Sequence, residues 1–143
     1  MSMWLLALGV MIAPAAILLL ARRRRSPAPA LRWLEVAELR AWLAAGRTVT
    51  IVDVRGPDEF TGPLGHIAGA RNLPLDSLPA RLPELAHERG RPLVLVCRTD
   101  KRSATAATLV MSAGHADVFV VRGGMERWTG TAAANEGTSG SGR

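Results

Sequence analysis

The 143-residue chain has one cysteine, no tyrosine and two phenylalanines. A single cysteine excludes an intrachain disulfide and gives no sign of an oxidising compartment. It also excludes a CxxC pair or a zinc framework built on several cysteines. His66, His87 and His115 lie far apart with no i,i+4 pair, so they read as packing or surface residues, and no metal or cofactor is expected. The shortage of aromatics bears on the net charge of +6. Four of those charges are Arg22, Arg23, Arg24 and Arg25, and elsewhere basic and acidic residues nearly balance. Without a basic stripe interleaved with aromatics, nucleic acid is not an expected partner. No internal repeat is visible.

What is abundant is unevenly spread. Residues 3–21 (MWLLALGVMIAPAAILLLA) form an uncharged run of nineteen. As a helix rising about 1.5 Å per residue it spans roughly 28 Å, near the hydrocarbon thickness of a bilayer. Pro14 is a tolerated kink there, and Trp4 suits the interface. A cleavable signal would carry positive charge before its apolar core. Here the arginines follow it, which favours a retained anchor with residues 22–25 on the cytoplasmic side. Residues 1–25 are thus expected to be a single transmembrane helix with a basic flank that can grip the lipid bilayer. Ser26, Pro27, Ala28, Pro29 and Ala30 fall in a semi-stiff linker over 26–31. A folded domain is expected over 32–129, and a small-residue, disordered tail over 130–143. The expected location is a single-pass position in the cell membrane, with the soluble domain on the cytoplasmic side.

Within the domain, Leu34, Val36, Leu39, Trp42 and Leu43 recur at helical intervals up to Gly46. Residues 48–54 (TVTIVDV) read as a strand, and the Gly- and Pro-rich stretch 56–73 as mostly loop. One or two short helices are expected over 75–88. Leu93 to Val96 reads as a strand, Ser103 to Ala113 as an Ala-rich helix, and Val118 to Val121 as a strand stopped by Gly123 and Gly124. Continuously apolar strands alternating with helices indicate an α/β fold, a parallel β-sheet flanked by helices on both faces. Ligands collect beyond the carboxyl ends of such strands. Cys97 falls there.

Cys97, Arg98, Thr99, Asp100, Lys101, Arg102 and Ser103 link that strand to the next helix. A lone cysteine after an apolar strand is commonly an inert core residue. Two features argue otherwise. The following loop is polar and carries three cations, so the sulfur is not expected to be sealed in hydrocarbon. A helix beginning near Arg102 or Ser103 can also aim its free N–H groups back at the sulfur. Helix amides with Arg98, Lys101 and Arg102 favour a sulfur anion, as a persulfide carrier requires.

These residues resemble the rhodanese family, and the resemblance runs from Leu34 to Trp128. Asp53, Val54 and Arg55, then Asp58, Glu59 and Phe60, then the run 65–74 (GHIAGARNLP) are similar to its first motif block. Residues 97–103 are similar to its active-site loop, and Arg122, Gly123, Gly124 and Met125 with Trp128 to its closing motif. The resemblance implies a sulfurtransferase in which Cys97 takes sulfur from a small anionic donor such as thiosulfate. Cys97 would then carry it as a persulfide and pass it to cyanide, a thiol or a thiol protein. It implies that main-chain amides of Arg98, Thr99, Asp100, Lys101, Arg102 and Ser103 hold the anion while the three cations attract the donor. It gives Asp53 and Arg55 supporting roles at the loop's base; the residues alone would equally make a strand-end ion pair. Asp100 replaces the family's usual glycine, adding a negative charge, and Asp accepts unusual backbone angles.

Two other functions compete. A phosphatase or arsenate reductase needs Cys-x5-Arg to encircle a tetrahedral anion. Here Arg102 follows Cys97 with four residues between, and Ser103 holds the arginine's place. A membrane-tethered module that senses persulfide without turnover is the alternative from outside enzymology. Oligomeric state is left open.

Overall fold

Three of the apolar runs become strands that are buried from end to end: β2 (Thr50–Asp53), β4 (Leu93–Val96) and β5 (Val118–Val121). Burial on both faces is what the sequence pattern requires, since neither face of these strands offers a polar register. The computed structural model describes residues 31–130. The apolar run 3–21, the arginines 22–25, the spacer 26–30 and the tail from 131 onward lie outside the described residues. Among the described residues no helix is long and apolar enough to cross a membrane.

The elements follow in the order β1 (Arg32–Leu34), α1 (Val36–Ala44), β2, α2 (Pro57–Phe60) and β3 (Arg71–Asn72). Then come α3 (Leu78–Arg81), a 3₁₀ segment (Leu82–Glu88), β4, α4 (Lys101–Ser112) and β5. A last helix, α5, runs over residues 124–130. All strand pairs are parallel, and the five-stranded order is β1-β5-β4-β2-β3. The expected α/β architecture is the one observed, with β4 at the centre and Cys97 directly after it.

Alternate residues of the strands feed two cores. On one face Val52, Leu93, Leu95, Val118 and Val120 meet Leu78, Leu85 and the Ala106, Ala107 and Val110 stripe of α4. On the other, Ile51, Val94, Val96, Phe119 and Val121 meet Val36 and Leu39 of α1 and Met125 of α5. Cys97 continues the α4 side of β4.

Four local expectations change. Leu34 belongs not to the first helix but to β1, where it pairs with Val121; its helical spacing to Val36 and Leu39 is coincidental, because all three face one core. The stretch 56–73 is not all loop. It holds α2, with Pro57 in its first turn, and the two-residue β3 paired with β2. The helix after Cys97 starts at Lys101, one or two residues early. Gly130, expected to open the tail, is still helical.

Candidate active site

The loop 97–103 is shaped from outside by the turn that starts α5. Gly123 and Gly124 have φ of 76° and 55°, the left-handed region that glycine enters without penalty. Gly124 has a second reason to be glycine. A β-carbon there would collide with the carbonyl oxygens of Thr99 and Cys97 and come within 2.7 Å of that of Arg98. Two of these carbonyls are fixed from the same side, since Met125 N donates to Cys97 O at 2.8 Å and Glu126 N to Arg98 O at 3.0 Å. In a planar trans peptide the next N–H points opposite the carbonyl. The amides of Arg98, Thr99 and Asp100 therefore face away from α5, into the loop.

The amides of Lys101, Arg102 and Ser103 are the first-turn donors of α4, which have no partner within a helix. Among the described residues none of the six amides from 98 to 103 finds a backbone or side-chain acceptor. Ser103 Oγ lies 3.1 Å from Cys97 Sγ and 3.2 Å from Asp100 O, so the sulfur sits beside the positive end of this twelve-residue helix. The loop that begins at Cys97 thus carries six consecutive N–H groups without an acceptor, with the Ser103 hydroxyl beside the sulfur.

Burial differs from expectation. Cys97 is only 1% exposed, despite the polar loop after it. The chain wraps the residue on three sides: β4 and the α4 face are fully buried behind it, the start of α5 bonds its carbonyl, and Ser103, itself 0% exposed, covers the sulfur. A cleft of about 310 Å³ lined by Arg55, Glu59, Pro63, Leu64, Arg98 and Glu126 lies beside the loop. Cys97 itself is not in the cleft wall, and its neighbour Arg98 is.

The three cations are not three free charges. Arg102 forms a two-pronged pair with Glu59 of α2, at 2.7 and 2.8 Å. The pair holds the Glu59 carboxyl down at about 2, chiefly through that hydrogen bond. Arg102 is raised by Glu59 and, further down the order of causes, by the charges of Cys97 and Asp53. Arg98 donates to Glu126 at 2.7 Å with both side chains largely exposed. Of these three cations, Lys101 alone makes no ion pair with the described residues. Asp100 does not take the left-handed conformation that favours glycine, since its φ is −149°. Its carboxylate accepts from Gly123 N at 3.3 Å, which ties the loop to the turn beneath it.

At the end of β2, Asp53 and Arg55 form a buried ion pair. Arg55 Nη2 and Nε reach Asp53 Oδ2 and Oδ1 at 2.7 and 3.0 Å with both side chains buried. The same Nη2 donates to Gly65 O at 2.6 Å. Asn72 Nδ2 donates to the carbonyls of Asp53 and Arg55. His66 braces a loop, its ring stacked on Phe60 at 3.8 Å and its Nδ1 at 2.9 Å from Phe60 O. Sequence reasoning gave no role to Glu59, Asn72, Glu126 or the Ser103 hydroxyl. Spacing could have exposed only the last, since Ser103 stands at the start of α4, where a short hydroxyl side chain reaches back over its own first turn.

The chain was compared with known proteins. A profile described as a rhodanese-like domain matches residues 35–131. Thiosulfate sulfurtransferase GlpE of Stutzerimonas stutzeri (strain A1501) is 36% identical over 81 residues, covering 57% of this chain and 71% of that protein. The uncharacterized protein YqhL of Bacillus subtilis (strain 168) is 38% identical over 87 residues, covering 61% of this chain. The chain spans just under two thirds of YqhL's length, 66%. A crystal structure of a rhodanese-like domain protein from Staphylococcus aureus superposes with a TM-score of 0.60 at 30% identity, covering 68% of this chain and 90% of that one.

Proposed function

Because this chain belongs to the rhodanese-like domain family, we propose that it is a sulfurtransferase whose Cys97 carries sulfane sulfur from a donor such as thiosulfate to a thiol or cyanide acceptor. One observation carries the reading: the loop that begins at Cys97 has six consecutive amides without an acceptor, and a serine hydroxyl lies 3.1 Å from its sulfur. The likeness to a protein named thiosulfate sulfurtransferase supports the donor class.

The chemistry needs little else. The Cys97 thiolate attacks the outer sulfur of thiosulfate, the S–S bond breaks, and sulfite leaves with the bonding pair. Cys97 is then a persulfide, R–S–S⁻, whose terminal charge the loop amides solvate without any reorganisation. An acceptor thiolate or cyanide attacks the terminal sulfur and returns Cys97 to thiolate. Ser103 can donate its one hydroxyl proton to the thiolate or return it to Asp100 O as the charge moves outward. A loop with four residues between Cys97 and Arg102 leaves room for sulfur rather than for an encircled phosphoryl group.

The uncharged run 3–21 followed by residues 22–25 supports tethering of this domain to the cytoplasmic face of a membrane through the spacer 26–30. Intact mass of the full chain after thiosulfate treatment tests the catalytic reading. Wild type should gain one sulfur atom and release sulfite, and Cys97→Ser should gain nothing. Gain by both proteins, or by neither with any sulfane-sulfur donor, refutes it. Sulfur gain without continuing sulfite release when cyanide is supplied would mark a sensor in place of an enzyme.

A further inference from the structure

Accepting Cys97 as a sulfur carrier, we infer that its preferred donor is an organic persulfide, R–S–SH, and that Glu59 and Glu126 set this preference against compact dianions. Three observations lead there. The first is charge. The loop and the elements around it hold four cations (Arg55, Arg98, Lys101 and Arg102) and four carboxylates (Asp53, Glu59, Asp100 and Glu126). Three of the cations are matched one to one, at 2.7 Å in each pair. A site paired in this way projects little net positive field to collect thiosulfate.

The second is the cleft. Pro63 and Leu64 give it an apolar wall, and at about 310 Å³ it enters the range, roughly 300–1,000 Å³, of pockets that hold whole organic molecules. The R group of a persulfide has somewhere to lie. Thiosulfate has no such group to place.

The third is the burial of Cys97 at 1% exposure. In R–S–SH both sulfur atoms are divalent, so a slender end precedes the bulk. In thiosulfate the sulfane sulfur is joined directly to a tetrahedral SO₃ group, which must follow it into the loop. A recessed nucleophile selects the slender end.

The step balances without an added oxidant. Cys97–S⁻ attacks the terminal sulfur of R–S–SH, the R–S–S bond breaks, and R–S⁻ leaves. Cys97–S–SH remains and gives its proton to solvent as the amides take up the charge. Sulfite is neither formed nor needed.

The test compares kcat/KM of the full chain for thiosulfate with that for the persulfides of glutathione and 2-mercaptoethanol, using one thiol acceptor throughout. Both persulfides should exceed thiosulfate by about tenfold or more, a difference of roughly one decade in transition-state binding. Glu126→Gln frees Arg98, and because both side chains are exposed it does not threaten the fold. The ratio of persulfide to thiosulfate kcat/KM should then fall about threefold, within the reach of an exposed charge. Thiosulfate used as well as or better than both persulfides overturns the inference, as does a ratio that Glu126→Gln leaves unmoved. A full chain that gains no sulfur at Cys97 from any of the three donors fails as a sulfurtransferase altogether, which separates the two readings.

Discussion

Replacing Gly124 with alanine should cost more than its dihedral angle explains, and the excess measures how closely α5 is pressed against the sulfur loop. Gly46 supplies the reference. Its φ is 69° and a β-carbon there would touch nothing within 4 Å, so Gly46→Ala carries only the left-handed penalty, about 1–2 kcal/mol. Gly124 has nearly the same kind of angle, φ 55°, but its β-carbon would strike the carbonyl oxygens of Thr99, Cys97 and Arg98. These are backbone atoms, two of them bonded to Met125 and Glu126, so they cannot swing aside as a side chain would. Overpacking of that type adds about 1–3 kcal/mol, for a total near 2–5 kcal/mol. Urea denaturation of both variants gives the difference directly. The displaced carbonyls carry the amides of residues 98–100 with them, so Gly124→Ala should also slow persulfide formation well beyond Gly46→Ala. Equal stability losses in the two variants, or a destabilised Gly124→Ala that forms persulfide at the wild-type rate, would refute the link between this turn and the loop amides.

Three other perturbations follow from the geometry. Arg55→Leu leaves the Asp53 carboxylate buried and unpaired and should cost about 3–5 kcal/mol, whereas Arg98→Gln breaks an exposed pair and should cost no more than about 1 kcal/mol; urea midpoints compare them. Ser103→Ala removes the donor 3.1 Å from Cys97 Sγ and should slow persulfide formation about tenfold, as expected for a hydrogen bond to a charged group, in a stopped-flow assay run where both proteins are folded. Glu59 titrates at about 2 in the folded chain against an ordinary 4.5, so its contribution to stability is complete above about 4.5 and fades as pH falls toward 2. The stability gap between wild type and Glu59→Gln should therefore be constant from pH 7 to about 5 and close below that, as denaturation at stepped pH would show.

Much of this site is legible in the chain because two different periodicities coincide at one point. Residues 93–96 and 118–121 are apolar without alternation, which fixes them as buried parallel strands, and their observed bounds match. Once β4 is central, the residue after it stands at the carboxyl edge, and Cys97 is located by topology. What local sequence does not carry is pairing across long separations. The pairing of Glu59 with Arg102, 43 positions further along, and the approach of Gly124 to the loop depend on how α2 and α5 fold back over the sheet edge. Leu34 reads as helical for a related reason: a three-residue edge strand is too short to show a period, and its partner β5 defines it. The sulfur's burial is likewise a tertiary property, since charged neighbours in sequence say nothing of what α4 and α5 place over the thiol. Asp100 illustrates the reverse case, an apparent departure from the family pattern that the fold uses as a tie to Gly123.

The central claim is that the amides of residues 98–103 hold the charge of a sulfur bound to Cys97. Amide chemical shifts of the isotopically labelled full chain, recorded before and after loading with one sulfur atom, address it without reliance on turnover. These six N–H resonances should move downfield together on loading and return when cyanide removes the sulfur. Sulfur on Cys97 that leaves them where they were would contradict the account.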